Sequence, residues 1–239
     1  MWIWPIWLAP TSPRFPAPFL CPAVRDYLLF IDTETSGLPA DWRQPYANAA
    51  AWPHILQVAW VVYTKAGELV KTEAAYLRPA DYDISPAAGL VHGLTLAFLE
   101  RHGQGRHAVM QRLLADLGRY DPLVVGHFME LDFHMVGVTL HRAGLPNALL
   151  SRPLFCTMRL SEDFVRTPGR RFLRLPELYE RLFGRPLLRE HDALVDAQAT
   201  ADCFWELRRR GEISPEALRA QLQPRLPVAR PAWWRALFG

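Results

Sequence analysis

The stretch "FIDTETSGL", Phe30 to Leu38, sets two carboxylates, Asp32 and Glu34, two positions apart where an apolar run ends. On an extended chain that spacing sends both side chains to one face, where like charges repel unless a cation lies between them. Alone, the pair is equally a solvated strand end. Asp132 stands near the start of a stretch that is otherwise apolar at Leu131, Phe133, Met135 and Val136, a place where the helix dipole by itself favours an acid. In "REHDALVDAQATA", His191 precedes Asp196 by five positions. Alanines 193, 197, 199 and 201 give that segment small side chains that let neighbours approach closely. Taken singly, His191 is a loop histidine and Asp196 a first-turn acid.

Taken together, four acids at strand ends and helix starts are hard to explain as stabilising devices, because converging like charges cost energy without cations. Hard oxygen donors with no cysteine partner favour Mg²⁺ or Mn²⁺ over zinc. Two such ions about 3.5 to 4 Å apart are the arrangement for in-line phosphoryl transfer. A histidine beside them can serve as general base, since its pKa lies close to neutrality.

These residues must be carried by regular elements. "DYLLFIDT", "HILQVAWVVYT" and "GELVKTEAAYLRP" read as three consecutive strands, the first two joined by a long loop from Ser36 to Pro53. "RHAVMQRLLADLGRY" puts Val109, Leu113, Leu114 and Leu117 on one helical stripe that Asp121-Pro122 ends. "PLVVGH" is a brief strand, and "MELDFHMVGVTLHRAG" a helix closed by Gly144. "LPELYERLFG" is a helix with proline in its first turn and Gly184 at its end. "DALVDAQATADCFWELRRRG" is a long helix with Asp192 available as N-cap and a basic last turn. The order βββαβα, with further helices, predicts an α/β mixed sheet flanked by helices.

At 239 residues the chain suffices for one substantial core, and its half-hydrophobic composition excludes a disordered or fibrous protein. The net charge of +3 is compatible with a polyanionic partner. The charge is concentrated locally: Arg166, Arg170, Arg171, Arg174, Arg181, Arg185 and Arg189 face only Glu177 and Glu180 in their segment, making a candidate phosphate tracker. Trp42, Tyr46 and Trp52 in the long loop could stack on bases, although packing is the commoner use. Cys21, Cys156 and Cys203 form neither a disulfide framework nor a zinc set, which points to a reducing cytoplasm. No stretch approaches the ~20 apolar residues of a membrane span, and the proline-interrupted start lacks the basic region of a secretory signal. The expected organisation is a Pro/Trp-rich arm over 1–24, a domain over 25–210 and a tail with a short helix over 211–239. The aromatic ends, with Trp2, Trp4 and Trp7 on one side and "PAWWRALFG" on the other, need cover from the domain, a partner or a membrane interface.

With "DTETSGL", "VVGHFMELD" and "HDALVDA" in that order, the sequence resembles the DEDDh (DnaQ-like) family of 3′ to 5′ exonucleases, which includes the proofreading subunit of bacterial replicative DNA polymerase. Smaller echoes are "ILQVAWVV", "VHGLT" and "LPELYERLFG". The resemblance implies a ribonuclease H-like fold in which Asp32, Glu34, Asp132 and Asp196 hold two Mg²⁺ or Mn²⁺ ions and His191 deprotonates the attacking water. It implies Thr35, Ser36, Gly37 and Leu38 along the terminal nucleotide, and release of nucleoside 5′-monophosphates from single-stranded or frayed DNA 3′ ends. RNA trimming by the same chemistry is the alternative. A docking protein that uses the fold to join a polymerase or another copy of itself is a second, against which the presence of all five site positions counts. One departure stands out: the second motif commonly carries Asn after its histidine, and here Phe128 follows His127.

Overall fold

The structure is a computed structural model that describes residues 25–80, 82–165 and 171–222. Five strands form one sheet: β1 (Tyr27–Thr35), β2 (Ile55–Thr64), β3 (Leu69–Tyr76), β4 (Leu123–Gly126) and β5 (Leu154–Cys156). Their spatial order is β3-β2-β1-β4-β5. The three N-terminal strands form an antiparallel meander, whereas β4 and β5 run parallel to β1. Between β3 and β4 come helices α1 (Pro86–His92), α2 (Leu96–His102) and α3 (Arg106–Tyr120). Helix α4 (Met129–Arg142) follows β4, and α5 (Thr157–Leu160), α6 (Leu175–Phe183), α7 (Ala193–Arg209) and α8 (Pro215–Leu222) follow β5. This is the mixed sheet flanked by helices that the sequence predicts. Helices α1 and α2 and strands as short as β5 carry too little periodicity to announce themselves.

Alternation along β1 divides the core. Leu29 and Ile31 face one layer with Val109, Leu113 and Leu117 of α3 and Met135 and Val138 of α4. Leu28 and Phe30 face the other with Leu178 of α6 and Phe204 and Leu207 of α7. Because the period is two, Asp32 and Glu34 continue the face of Leu28 and Phe30, and Thr33 continues the opposite one. The alanines of α7 at 193, 197, 199 and 201 are all buried, so this helix lies close against the sheet. Sequence-based bounds hold for α3, and Asp192 caps α7 by accepting from the Leu194 N–H at 3.1 Å. The predicted tail opens with α8, whose Gln221 Oε1 accepts from the Cys156 N–H at the edge of β5. The Trp-rich arm over 1–24, with Cys21, and the aromatic segment after 222 lie outside the described residues. No helix among the described residues is long and apolar enough to cross a membrane.

Candidate active site

Three elements deliver the acids to one place. The end of β1 supplies Asp32 and Glu34, the first turn of α4 supplies Asp132, and the first turn of α7 supplies Asp196. Ligand atoms of Glu34, His191 and Asp196 all lie within 4.8 Å of one another. Asp32 stands within electrostatic reach of Asp132, Asp196 and Glu34. Asp132 is tied to the strand instead: its Oδ1 accepts from the Thr33 hydroxyl at 2.8 Å in a buried bond. Gly126 makes that approach possible, since a Cβ there would come within 3.0 Å of Met129 Sδ and 3.1 Å of Asp132 Oδ2.

The electrostatics record the crowding. Burial pushes Glu34 up to about 8, helped by Asp196 and Asp132. Burial also lifts Asp132 to about 7 against the opposing pull of the Thr33 bond, and lifts Asp196 to about 7 against the pull of the His191 N–H. Asp32 is raised well above the usual carboxylate range, by burial first and then by Asp132, Asp196 and Glu34. Four such carboxylates cannot all be ionised without cations. Asp196 Oδ1 is buried with no hydrogen-bond partner, an acceptor left over for a cation. Oxygen-rich donors with one imidazole fit a hard divalent ion.

His191 is exposed and sits in the left-handed region at φ 66°, with Arg189 similarly placed at φ 59°. Its backbone N–H donates to Asp196 Oδ2 at 3.0 Å, so the strained loop is held by the acid beside it. Thr35, the last residue of β1, and Ser36 after it are buried. The Thr35 hydroxyl donates to the Gly37 carbonyl at 2.7 Å, and Ser36 Oγ accepts from the His54 N–H at 2.9 Å. Leu38 is 48% exposed and presents an open apolar face.

Residues that sequence reasoning did not single out complete the surroundings. His92 Nδ1 accepts from the Leu94 N–H, which leaves Nε2 to donate to the Thr35 carbonyl at 3.2 Å and pins α1 to the end of β1. His127 is bonded to Thr157 and to the Leu173 carbonyl, and burial pushes it down to about 4. Thr33 and Gln57 are buried polar side chains within apolar strands, and that interruption is the signal available in the sequence. The loop aromatics serve packing. Trp52 is buried and stacks on His134, Tyr46 Oη meets His134 Nδ1 at 3.0 Å, and Trp42 packs on Phe128. Arg142 fastens the same loop by donating to the Pro53 and Trp52 carbonyls at 2.6 and 2.7 Å. The arginine-rich segment is partly engaged: Arg171 pairs with Glu162, Arg181 lies over Phe164, Arg185 donates to Tyr179 and Arg189 to Asp192. Arg166 and Arg170 lie outside the described residues.

A sheet of order β3-β2-β1-β4-β5, with an acidic centre at the C-terminal end of its middle strand, is the ribonuclease H-like fold. The model of the family described as Exonuclease (RNase_T) matches residues 29–204, and the chain belongs to that family, in its DEDDh type. Escherichia coli exonuclease I in complex with a dT13 oligonucleotide is similar in structure, with a TM-score of 0.65 and 19% identity over 79% of this chain and 42% of that one. The zinc-bound form of the E. coli exonuclease I–single-stranded DNA complex gives a TM-score of 0.66 and 19% identity over 82% and 42%. The chain thus spans less than half the length of exonuclease I. No curated protein matches the sequence.

Proposed function

We propose that this protein is a metal-dependent 3′ to 5′ exonuclease that removes nucleoside 5′-monophosphates from single-stranded or frayed DNA ends. The observation that carries the reading is the convergence of Glu34, His191 and Asp196 within 4.8 Å, beside Asp32 and Asp132, in a site whose acids are all pushed up by burial first and then by neighbouring carboxylates. Asp32, Glu34, Asp132 and Asp196 would hold two Mg²⁺ or Mn²⁺ ions. Bound there, the cations supply Lewis-acid stabilisation of charge on the scissile phosphate and its leaving oxygen.

The chain's own residues position and move the proton. His191, exposed at the rim, takes a proton from the attacking water as its oxygen bonds to phosphorus. The bond from phosphorus to the 3′ oxygen breaks, and that oxygen is protonated from solvent. Asp196, by accepting the His191 N–H, holds the imidazole's loop in place during the transfer. Leu38 offers its apolar face to the terminal base, a contact that is tolerant of sequence. The likeness to exonuclease I, solved with dT13 and dA16, favours single-stranded DNA as the substrate.

The test is cleavage of a 3′-labelled, 3′-tailed DNA oligonucleotide and its RNA counterpart with Mg²⁺ or Mn²⁺, comparing wild type with Asp32→Ala. Wild-type release of mononucleotides from DNA, lost by at least ~10³-fold in Asp32→Ala, is expected. Equal products from both proteins would sink the assignment, and faster RNA cleavage would move the substrate to RNA.

A further inference from the structure

The sheet and α7 are joined at one buried amide. Gln57 lies on β2 directly opposite Glu34 in the antiparallel register, so the two side chains share a face. It is 4% exposed. Its Nε2 donates to Asp192 Oδ1 at 3.2 Å, and its Oε1 accepts from the Ala193 N–H at 3.2 Å. The amide therefore grips both the N-cap of α7 and an orphan N–H of its first turn.

What hangs from that grip is the reactive side of the site. The Asp196 N–H donates to the Asp192 carbonyl at 2.9 Å, and Asp196 Oδ2 receives the His191 N–H at 3.0 Å. A continuous path of bonds thus runs from the strand pair bearing Glu34, through Gln57, to the Asp196–His191 pair. Both ends of the amide are needed, because an ionised carboxylate has no donor for Asp192 and a hydrocarbon has neither group. Packing does not account for it: Ile55, Leu56, Val58 and Ala59 around it are apolar and buried, and a buried amide costs stability unless it is bonded.

We infer that Gln57 is a positioning residue that sets the separation between Glu34 and the His191–Asp196 pair. It rests on the reading of those residues as the reactive centre. Gln57 touches neither water nor phosphate in this role and acts through α7. Hydrogen-bonded supports of this kind alter activity or metal affinity by roughly 10- to 100-fold when removed.

The experiment compares Gln57→Leu with Trp60→Phe, which removes a buried bond from Trp60 Nε1 to Asp116 Oδ2 on the other layer of the sheet. Each full-length protein is measured for kcat and KM on a 3′-tailed DNA oligonucleotide with Mn²⁺, and for amide hydrogen exchange of residues 191–196 without metal. For Gln57→Leu, kcat falls about 10- to 100-fold with KM held within ~3-fold, and exchange at 191–196 accelerates. Trp60→Phe keeps both at wild-type values. Should Gln57→Leu not fold, Gln57→Met, an unbranched side chain of similar length with neither a donor for Asp192 nor an acceptor for Ala193, is judged by the same criteria. Wild-type kcat in the Gln57 variant, or unchanged exchange at 191–196, overturns the inference. If wild type cleaves nothing, the functional reading fails by itself, and the exchange measurement still decides whether Gln57 holds α7.

Discussion

The Thr33 hydroxyl donates to Asp132 Oδ1 at 2.8 Å, across 99 positions of sequence, and ties the interior face of β1 to the first turn of α4. Thr33 points away from Asp32 and Glu34 because strand side chains alternate, so the second motif reaches the site by gripping the side of the strand that the first motif does not use. A hydrogen bond to a carboxylate favours its ionised form. Thr33→Val therefore moves Asp132 above its present value of about 7. The expected result, read by titrating Mn²⁺ into the metal-free protein, is an affinity weakened about 10-fold at pH 7 that narrows toward pH 9. Superimposable affinities across this range would show that the bond has no bearing on Asp132.

The crowded acids also shape stability in the absence of metal. Glu34 is raised to about 8, Asp132 and Asp196 to about 7, and Asp32 well above the usual range. A carboxylate whose folded pKa is raised contributes stability that is complete below the unfolded value near 4 and is lost as pH rises through the folded value. His54 and His127, both pushed down to about 4, act with the opposite slope, but only between about 4 and 6.5. The interval from pH 7 to 8 isolates the acids, since it lies above the histidine range and below the ionisation of the Cys203 thiol in the unfolded chain, which burial opposes in the fold. In chelator, Tm should fall by at least ~3 °C across that interval, Asp32→Asn should recover part of the loss, and Mn²⁺ should abolish the slope. A flat Tm in chelator would mean the carboxylates do not confront one another.

Much of this is legible in the amino-acid sequence. Leu28 to Phe30 with Asp32 and Glu34, the α3 stripe and the capped α7 are local patterns, and their period and caps decide both element and face. The convergence of Asp132 and Asp196 on β1 came from motif order. Gln57, Thr33 and His92 were not legible as site residues, since each matters through a partner 57 to 136 positions away that no periodicity specifies. In the sequence Phe128 stands out only as a departure from Asn, and its backbone gives the reason the position favours one.

His191 occupies φ 66° without being glycine, a conformation that costs roughly 1 kcal/mol for a side chain of this kind. Its side chain is exposed, so little packing offsets that cost. His191→Gly should leave the metal-free protein as stable as wild type or up to ~1 kcal/mol more stable, while kcat falls at least ~100-fold. Thermal melts and steady-state kinetics on one preparation separate the two effects. A variant with lower Tm and intact kcat would make His191 a structural loop residue.

Phe128, at the N-cap of α4, is also left-handed at φ 75°, ψ 40°, and provides no side-chain cap. Asn suits both demands, because it tolerates this backbone and can cap a helix. Here the aromatic ring is buried instead and packs on Trp42, which in turn contacts Trp52 and His134 and so anchors the loop after Leu38. Two terms compete in Phe128→Asn. Relief of backbone strain and a new cap favour the variant by about 1 to 2 kcal/mol, and the lost burial of a phenyl ring opposes it by about 3 to 5 kcal/mol. Packing wins by about 1 to 4 kcal/mol, so Tm should drop by roughly 2 to 16 °C. The Asp132 carboxylate keeps its bond from the Thr33 hydroxyl in this variant, so kcat on a short single-stranded oligonucleotide should stay within ~3-fold of wild type. A higher Tm would show that strain outweighs the aromatic contact. A collapse of kcat at unchanged Tm would place Phe128 in the reaction itself.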